Sequence, residues 1–483
     1  MKYFSVLFAG SLITSIGSGM SAFALAAWIF TQQGSAASVG LLQMCAFAPM
    51  VLLAPIAGTC ADRYDRRALM IAGDGGSILG LLLVLWALNG GGLGGEGEPS
   101  VPLVLLGITI ASSLAAFTEP ALRATVSDLL KPEEYVRASG MLQLAASSKF
   151  LISPVLAALV MTASSVQVVL LIDAATAVVT VACTLYVRRG LTRATPVGRL
   201  GAARQASKAE QASKAEQEST AGQESTAGQE STAGQASKAE QESAAGQESS
   251  DRPSFLRDLL NSWRTITAST QVTTVVAIMA ALTLALGVIQ TLLKPMLLPH
   301  YSPNQVGLVE SLAACGLIAG GALVAVLTNP RPDWLLRVGI GAVSLGALLV
   351  GLRPSMWWVA GSCALVFAAL AACNAGAEAG VRGLIPNEQQ GRAWGSIGLI
   401  TQMGFLIAYA LAGPLADHVF TPALMEGGAL VPALGWLFDV GPGRGIGLLI
   451  SCVGIAVGVL TLTVPRIDAA HAHNPGNQGG HSC

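Results

Sequence analysis

The stretch Gly58-Thr-Cys-Ala-Asp-Arg-Tyr-Asp-Arg-Arg67 decides the fold of this chain, because it joins two long apolar segments through a short, arginine-rich turn. Arginine and lysine concentrate in the cytoplasmic loops of membrane proteins. A charged turn this short therefore predicts two membrane-spanning helices that are joined on the cytoplasmic side.

The composition of the whole chain is that of a membrane protein. Of its 483 residues, 52% are hydrophobic and only 11% are charged, against about 25% charged residues in ordinary soluble domains. The net charge is −1 and the basic residues form no common face, so we expect no nucleic-acid partner. The eight cysteines include no Cys-x-x-Cys pair, and we expect neither a metal site, a cofactor nor a disulfide framework.

Twelve apolar runs follow one another along the chain, each near the roughly 20 residues that a helix needs to cross about 30 Å of hydrocarbon. They lie at residues 4–30, 38–60, 68–88, 101–122, 138–162, 166–187, 271–292, 305–327, 334–352, 356–380, 394–416 and 444–465. The first run begins like a signal peptide, but it continues to Phe30 and has Lys2 as its only basic residue, which favours a retained helix. The pattern predicts an all-α integral membrane protein with 12 transmembrane helices in two six-helix bundles.

The polar gap in the middle divides the chain into its predicted domains. Residues 1–189 form the N-terminal bundle, 190–253 a low-complexity cytoplasmic linker, 254–467 an interfacial helix plus the C-terminal bundle, and 468–483 a polar tail. The linker repeats a six-residue unit with almost no large apolar side chain, so burial cannot offset its ordering entropy and we expect disorder. The apolar stripe over residues 255–266 is typical of a helix that lies in the membrane interface.

The distribution of basic residues predicts the orientation in the membrane. With the loop at residues 58–67 inside, the external loops contain only Lys294, Arg353 and Arg444 of the 27 lysines and arginines, and Lys149 lies within a helix. The other basic residues fall at cytoplasmic ends and loops, as the positive-inside rule requires. Both termini are therefore expected in the cytoplasm.

The spacing Gly-x3-Asp-Arg-x2-Arg-Arg at residues 58–67 resembles the signature loop of the major facilitator superfamily of secondary transporters. The residues at 17–28, Pro49 and Pro55 before the loop, and the Gly-Pro-Gly-Arg turn at 441–444 resemble the macrolide-efflux-like branch of that superfamily, which is also similar to siderophore exporters. The resemblance covers nearly the whole chain except the linker. It implies two six-helix halves related as parallel repeats, with the substrate path between them.

The resemblance also implies a gating role for the signature loop. Gly58 would let the second helix approach a neighbour closely, and Asp62 would face the positive end of the eleventh helix near Gly395. The three arginines would pair with acidic groups of the inner loops or with lipid phosphate, or would only fix the topology. They are Arg63, Arg66 and Arg67.

Ionisable side chains inside apolar runs are candidates for proton coupling or the substrate path, because each is costly in a membrane unless it is paired or hydrated. Lys149 falls near the middle of the fifth run, Asp173 in the outer third of the sixth, and Asp74 in the inner third of the third. A lysine and a carboxylate at one cavity form either a pair that the proton breaks or a permanent structural bridge. For Asp74, a helix-packing or inner-loop contact is an equal alternative to proton coupling.

Two matching ion pairs are predicted in the two halves, near the cytoplasmic ends of the fourth and tenth helices. Glu119 and Arg123, and likewise Glu378 and Arg382, have the i,i+4 spacing at which opposite charges meet on a helix. We interpret them as inner-gate or structural pairs.

The sequence favours a secondary active transporter rather than an enzyme, with proton-coupled efflux of an amphipathic small molecule by alternating access. Its expected partners are a small-molecule substrate, protons and the lipid bilayer of the cell membrane, and we expect a monomer. An importer of a small nutrient and a non-transporting receptor or scaffold of the same fold remain alternatives. Four amide side chains are further candidates for the cavity wall: Gln43, Gln143, Asn374 and Gln402.

Overall fold

The structure is a computed structural model that describes residues 2–91, 98–130, 134–194, 269–327, 331–384 and 387–464. Within these ranges all regular elements are helices, which confirms the predicted all-α class. Twelve of the described spans are long and apolar enough to cross a membrane, and they follow the order of the predicted runs. Most of the linker, the interfacial helix at 254–266 and the polar tail lie outside the described residues.

The first half of the chain contains six spans, of which two are divided into two helices. The helices are α1 (Lys2–Gln33), α2 (Ala36–Arg63), α3 (Arg66–Leu88), α4 (Val101–Ala115), α5 (Thr118–Leu129), α6 (Tyr135–Leu151), α7 (Ser153–Ala163) and α8 (Val166–Ala194).

The second half also contains six spans and adds one short helix that the sequence did not predict. The helices are α9 (Thr270–Leu297), α10 (Pro303–Val326), α11 (Pro332–Leu352), α12 (Met356–Leu384), α13 (Asn387–Leu415), α14 (Thr421–Leu424), α15 (Val431–Phe438) and α16 (Arg444–Leu460). A π-helical segment, Ala416–Phe420, connects α13 to α14 without a break. The extra helix, α15, lies in the connection that the sequence left as a loop.

Two spans that we predicted as single helices are interrupted. The fourth span breaks between α4 and α5, and the fifth breaks at Ile152, between α6 and α7. Pro154 explains the second break, because proline has no backbone N–H to donate and its ring clashes with the preceding turn of a helix. Position 154 is well placed as an early residue of α7, where the missing N–H costs little.

The signature stretch forms the end of α2, a two-residue turn and the start of α3. The backbone N–H of Tyr64 donates to the carbonyl of Cys60 at 2.9 Å and closes α2. The carboxylate of Asp65 accepts from the backbone N–H of Arg67 at 3.1 Å and caps α3. An aspartate at this position satisfies one of the amide groups that a helix start leaves free.

The helices of residues 2–185 and 269–464 belong to one compact unit, whereas residues 186–194, the end of α8, belong to a second unit. The largest buried apolar cluster of the first unit combines residues of α1 and α7 with residues of α9 to α13 and α16. The two six-helix halves therefore share one core. We call the end of the bundle where α2 joins α3 the loop end, and the end where α1 joins α2 the far end.

Candidate functional site

The far end of the bundle is closed by Asp417, which lies in the π-helical segment after α13. Its carboxylate accepts hydrogen bonds from the hydroxyl of Ser35 at 2.7 Å and from the backbone amides of Ala36 at 3.0 Å and Ala37 at 2.9 Å. These amides are free at the start of α2, where the helix dipole favours a negative charge. One carboxylate of the second half thus caps a helix of the first half.

Next to Asp417, on the side toward the middle of the bundle, α2 and α13 pack closely against each other. A Cβ atom built on Gly413 would lie only 2.6 Å from the carbonyl oxygen of Ala36, and one built on Gly40 would collide with the carbonyl oxygen of Tyr409. Both glycines are therefore required for the observed approach of the two helix backbones.

A polar and aromatic layer lies next along the same interface. The hydroxyl of Thr291 donates to the side-chain oxygen of Gln43 at 2.8 Å, and the hydroxyl of Tyr409 donates to that of Gln290 at 3.2 Å. The ring of Phe47 contacts the rings of Phe405 and Tyr409 edge-on, with centroid distances of 5.5 and 5.7 Å. The interface of α2 with α9 and α13 is thus packed over several helical turns from the far end.

Among the described residues, the glycines of α2 and α13 at the loop end make no corresponding contact. A Cβ atom built on Gly58, Gly395 or Gly398 meets no heavy atom of the described residues within 4 Å. The close approach that the sequence predicts at Gly58 is not seen among the described residues of this conformation, and the gating role of Gly58 stays a prediction. The expected contact of Asp62 with the α13 terminus involves a side chain outside the described residues.

A cavity of about 380 Å³ lies between α6 of the first half and the second half. Its wall is mostly apolar, and none of the described residues that line it is charged. Three phenylalanine rings and a few hydroxyl and amide groups face it, and these are Phe150, Phe367, Phe405, Thr283, Thr401, Gln290, Asn374 and Gln402. A cavity of this kind suits a lipophilic ligand that makes few directed polar contacts. Of the four predicted amides, Asn374 and Gln402 line this cavity, Gln43 lies in the closure, and Gln143 is exposed.

Asp74 does not line the cavity but lies buried between α3 and α5. The hydroxyl of Thr118 donates to its Oδ1 at 2.9 Å, and Oδ2 is buried without a hydrogen-bond partner among the described residues. Gly73 packs directly against Thr118. The geometry of Asp74 is that of a helix-packing contact, which was one of the two alternatives from the sequence.

Asp173 and Lys149 interact electrostatically but form no ion pair within 4 Å in the described part of the chain. Asp173 is buried on α8 against α1, where a Cβ atom on Gly17 would lie 3.0 Å from its Oδ1. Lys149 is on α6, next to the cavity residue Phe150, and Glu119 is the second acidic group that acts on it. The structure thus brings a buried carboxylate of α8 within electrostatic range of the α6 lysine, and neither side chain lines the cavity.

The signature arginines differ in their contacts. Arg66 donates to Asp128 at 2.8 Å and to the carbonyl of Ala124 at 2.6 Å, which fastens the start of α3 to the end of α5. The Nε atom of Arg67 is buried without a partner among the described residues, and Arg63 is exposed. Of the three, Arg66 makes the kind of acidic contact that the sequence suggested.

The two i,i+4 pairs are present within their own helices. Arg123 lies 2.7 Å from Glu119, and Arg382 lies 3.6 Å from Glu378, with all four side chains more than half exposed. Neither pair joins one half of the bundle to the other, so their role as inner gates stays a prediction.

Sequence reasoning missed three charged groups that the structure buries or pairs at the far end. Lys294, which we placed in an external loop, lies inside α9 and pairs with Glu310 of α10 at 2.5 Å. Arg444, also placed in a loop, is buried at the start of α16 and donates to the carbonyls of Phe438 and Leu352. Asp417 is the third. Each charge stands at the end of an apolar run, which is a usable signal, but the partners are distant in sequence.

Twelve candidate membrane-spanning helices, with a mostly apolar cavity between the two halves, define a polytopic membrane protein. The sequence profile of the Major Facilitator Superfamily matches residues 7–293, which is more than half of the chain, and the protein belongs to this family.

Curated relatives and solved structures agree with this assignment. Macrolide efflux protein A of Streptococcus pyogenes is 26% identical over 184 residues, which cover 37% of this chain and 42% of the relative. The multidrug efflux pump Tap of Mycobacterium tuberculosis strain H37Rv is 30% identical over 138 residues, which cover 28% of this chain and 30% of Tap. The alignments thus span less than half of either relative.

The fold matches solved transporters over nearly its whole length. The nucleoside transporter NupG superposes with a TM-score of 0.64 at 12% identity, covering 96% of this chain and 99% of NupG. A bacterial homolog of the human lysosomal transporter Spinster, in an inward-facing and occupied conformation, gives a TM-score of 0.63 at 13% identity, covering 98% of both chains. At these identities the likeness concerns the fold alone.

Proposed function

We propose that this protein is a proton-coupled exporter of amphipathic small molecules that works by alternating access in the cell membrane. The cavity is the observation that carries this proposal. Its wall combines phenylalanine rings with a few amide and hydroxyl groups and no charge. Such a wall binds by apolar area and shape, and therefore tolerates varied lipophilic ligands.

The asymmetry of the two ends supports the alternating-access part of the proposal. The far end is sealed by Asp417 and by glycine packing of α2 on α13, whereas the loop-end glycines of the same helices make no close contact. With the loop end in the cytoplasm, as the basic residues favour, this conformation admits a substrate from inside the cell. Rocking of the halves would then open the far end and close the loop end.

In this cycle the signature loop is the gate of the opposite state. Gly58 and Asp62 would contact α13 when the loop end closes, and the signature arginines would fasten the surrounding helices, as Arg66 does with Asp128. The pairs Glu119–Arg123 and Glu378–Arg382, which lie toward the loop end, would exchange partners in that state.

Proton coupling is assigned to the group formed by Lys149 and Asp173, with Asp74 as the alternative carboxylate. A carboxylate that lies buried in the first half, near a lysine that it does not bridge, is able to take up a proton in one conformation and release it in the other. Efflux as the direction follows the named activity of the two curated relatives.

The proposal is tested in inside-out membrane vesicles with an imposed proton gradient. A macrolide, an iron siderophore and a lipophilic dye are added in turn, and substrate-induced proton release is recorded for the native chain, Asp173→Asn and Asp74→Asn. We expect proton release with at least one compound and its loss in Asp173→Asn, with Asp74→Asn close to native. Glu426→Gln, which removes an exposed far-end carboxylate, is the matched control.

Absence of any response from a folded, inserted native protein contradicts the export proposal. If both carboxylate variants release protons at the native rate, export remains supported, but the assignment of proton coupling to Asp173 or Asp74 is refuted.

A further inference from the structure

The buried pair of Lys294 and Glu310 lies directly beyond the cavity, toward the far end. Gln290 and Ala314 line the cavity, on α9 and α10 respectively. Lys294 follows Gln290 by four residues and Glu310 precedes Ala314 by four residues, so each charge lies on its helix face about 6 Å beyond the cavity wall. The two charges meet at 2.5 Å between Nζ and Oε1.

The opposite half covers this pair with an aromatic ring. The Nζ atom of Lys294 lies 5.0 Å from the ring centroid of Phe23 on α1, within the range of a cation–π contact. Just beyond Glu310 toward the far end, Gly307 packs on the backbone of Pro154 in α7. The pair therefore lies at the interface of the halves, under the closed far end.

Lys294 and Glu310 differ in how much of their hydrogen-bonding capacity is already used. Lys294 is only 7% exposed and has both Glu310 and the Phe23 ring as partners. Glu310 uses Oε1 for the lysine, and its Oε2 has no hydrogen-bond partner among the described residues. Cys363 of α12 is a further titratable group that interacts with Glu310. The free acceptor of the site is thus a carboxylate oxygen.

We infer that Glu310 is the charged subsite of the cavity and takes a protonated amine of the substrate, whose apolar body occupies the phenylalanine-lined space. The inference rests on the proposed function and specifies its substrate class as amphipathic amines rather than acids. The ammonium N–H groups donate to Oε2, and Lys294 holds Oε1 so that the carboxylate points at a fixed position. A charge-assisted hydrogen bond of this kind is about twice as strong as a neutral one.

The test measures binding of two fluorescent dyes to the full chain in lipid nanodiscs, with empty nanodiscs subtracted. Rhodamine 6G is a planar cation with N–H groups, and Nile red is a neutral planar dye of similar size. We expect Glu310→Gln to weaken rhodamine 6G binding at least tenfold while Nile red binding changes less than twofold. Lys294→Gln keeps the carboxylate but releases its Oε1, and is expected to weaken rhodamine 6G binding less than Glu310→Gln does.

Two controls keep the result interpretable. Glu426→Gln removes an exposed far-end carboxylate and leaves both dyes unaffected. The double variant Lys294→Gln/Glu310→Gln replaces the ion pair by an uncharged hydrogen bond, and is expected to lose rhodamine 6G selectively even if Glu310→Gln alone folds poorly. The inference is overturned if a folded double variant binds rhodamine 6G as the native chain does, or if it loses both dyes equally. It is also overturned if the native chain binds neither dye.

Measuring dye binding and proton-driven transport separately distinguishes a failure of this inference from a failure of the proposed function. Selective dye binding without proton-driven transport supports the subsite and contradicts the exporter. Proton-driven transport of rhodamine 6G that Glu310→Gln leaves unchanged supports the exporter and contradicts the subsite.

Discussion

The carboxylate of Asp417 lies 3.0 Å from the backbone amide of Ala36, although 381 positions separate the two residues in the chain. The contact joins the second half of the bundle to the first helix turn of α2. Because the amide belongs to a helix start, the carboxylate meets both free N–H groups and the positive end of the helix dipole. The closed far end is therefore stabilised by electrostatics as well as by packing.

Asp417→Ala is expected to shift the protein toward a conformation with an open far end. Hydrogen bonds to charged groups contribute roughly 1.5–3 kcal/mol each, and about 1.4 kcal/mol changes a ratio of two states tenfold. Spin labels on Gln32 and Met425, both exposed at the far end, report the distance between the halves. A distance distribution identical to that of the unsubstituted labelled protein refutes the latch, and Glu426→Ala serves as control.

Gly413→Val is expected to prevent closure of the far end without preventing folding. The added side chain would meet the backbone of Ala36 and Ala37, which has no freedom to move aside. Transport should fall to background while insertion and unfolding temperature stay near native, because the conformation with the far end open avoids the clash. Gly361→Val is the control, since nothing lies within 4 Å of its Cβ position. Native transport by Gly413→Val would show that α2 and α13 need not approach.

Phe367→Ala is expected to weaken substrate binding from the cavity. Phe367 is partly buried and lines the cavity. If a bound substrate covers its ring, removing the ring forfeits apolar contact worth about 1.5–3 kcal/mol, so the half-saturating concentration should rise by roughly ten- to hundredfold. Leu411→Ala on the exposed face of α13 is the control and should leave that concentration within twofold. Equal effects of the two substitutions on a transported dye would place the substrate elsewhere.

Arg444→Ala is expected to destabilise the far end of the second half. Arg444 is 3% exposed, and its guanidinium donates to the carbonyl of Phe438 at 2.5 Å and to that of Leu352 at 3.2 Å, which ties α15 and the end of α11 to the start of α16. Leaving these buried carbonyls unpaired costs about 1–3 kcal/mol each. The unfolding temperature in detergent should fall by several degrees.

The matched substitution for this position is Arg353→Ala. Arg353 is exposed and stacks on Trp358 at 5.7 Å, a contact worth about 0.5–1 kcal/mol at an exposed site. A change in unfolding temperature no larger for Arg444→Ala than for Arg353→Ala would contradict the structural role of Arg444.

The spans were predictable because their signal is local. A run of apolar residues long enough to cross the hydrocarbon must be helical, since each backbone polar group has to be satisfied within the segment. This reasoning gave twelve spans with ends mostly within a few residues of the observed ones. It failed at the break between α4 and α5, at Ile152 and at α15, because these features change the path of the helices without a change in hydrophobicity that marks them.

The candidate site was predictable in part. Asn374 and Gln402 line the cavity and Arg66 pairs with Asp128, whereas Asp74 packs between helices. An ionisable residue in an apolar run signals a special environment, but the run does not reveal which face of the helix points to the cavity. Lys294 was assigned to a loop because its charge lies close to the end of a span, and only its partner Glu310 explains its burial.

The amino-acid sequence by itself determined the membrane class, the helix number and the signature loop, because hydrophobicity, charge and spacing act over one helix at a time. The tertiary structure alone decided which end is closed, where the cavity lies and which charges meet. Those features depend on the packing of α2 on α13 and of α9 on α10. The contact of Asp417 with α2 arises from the approach of helices that are distant in the chain, a relation that no local pattern records.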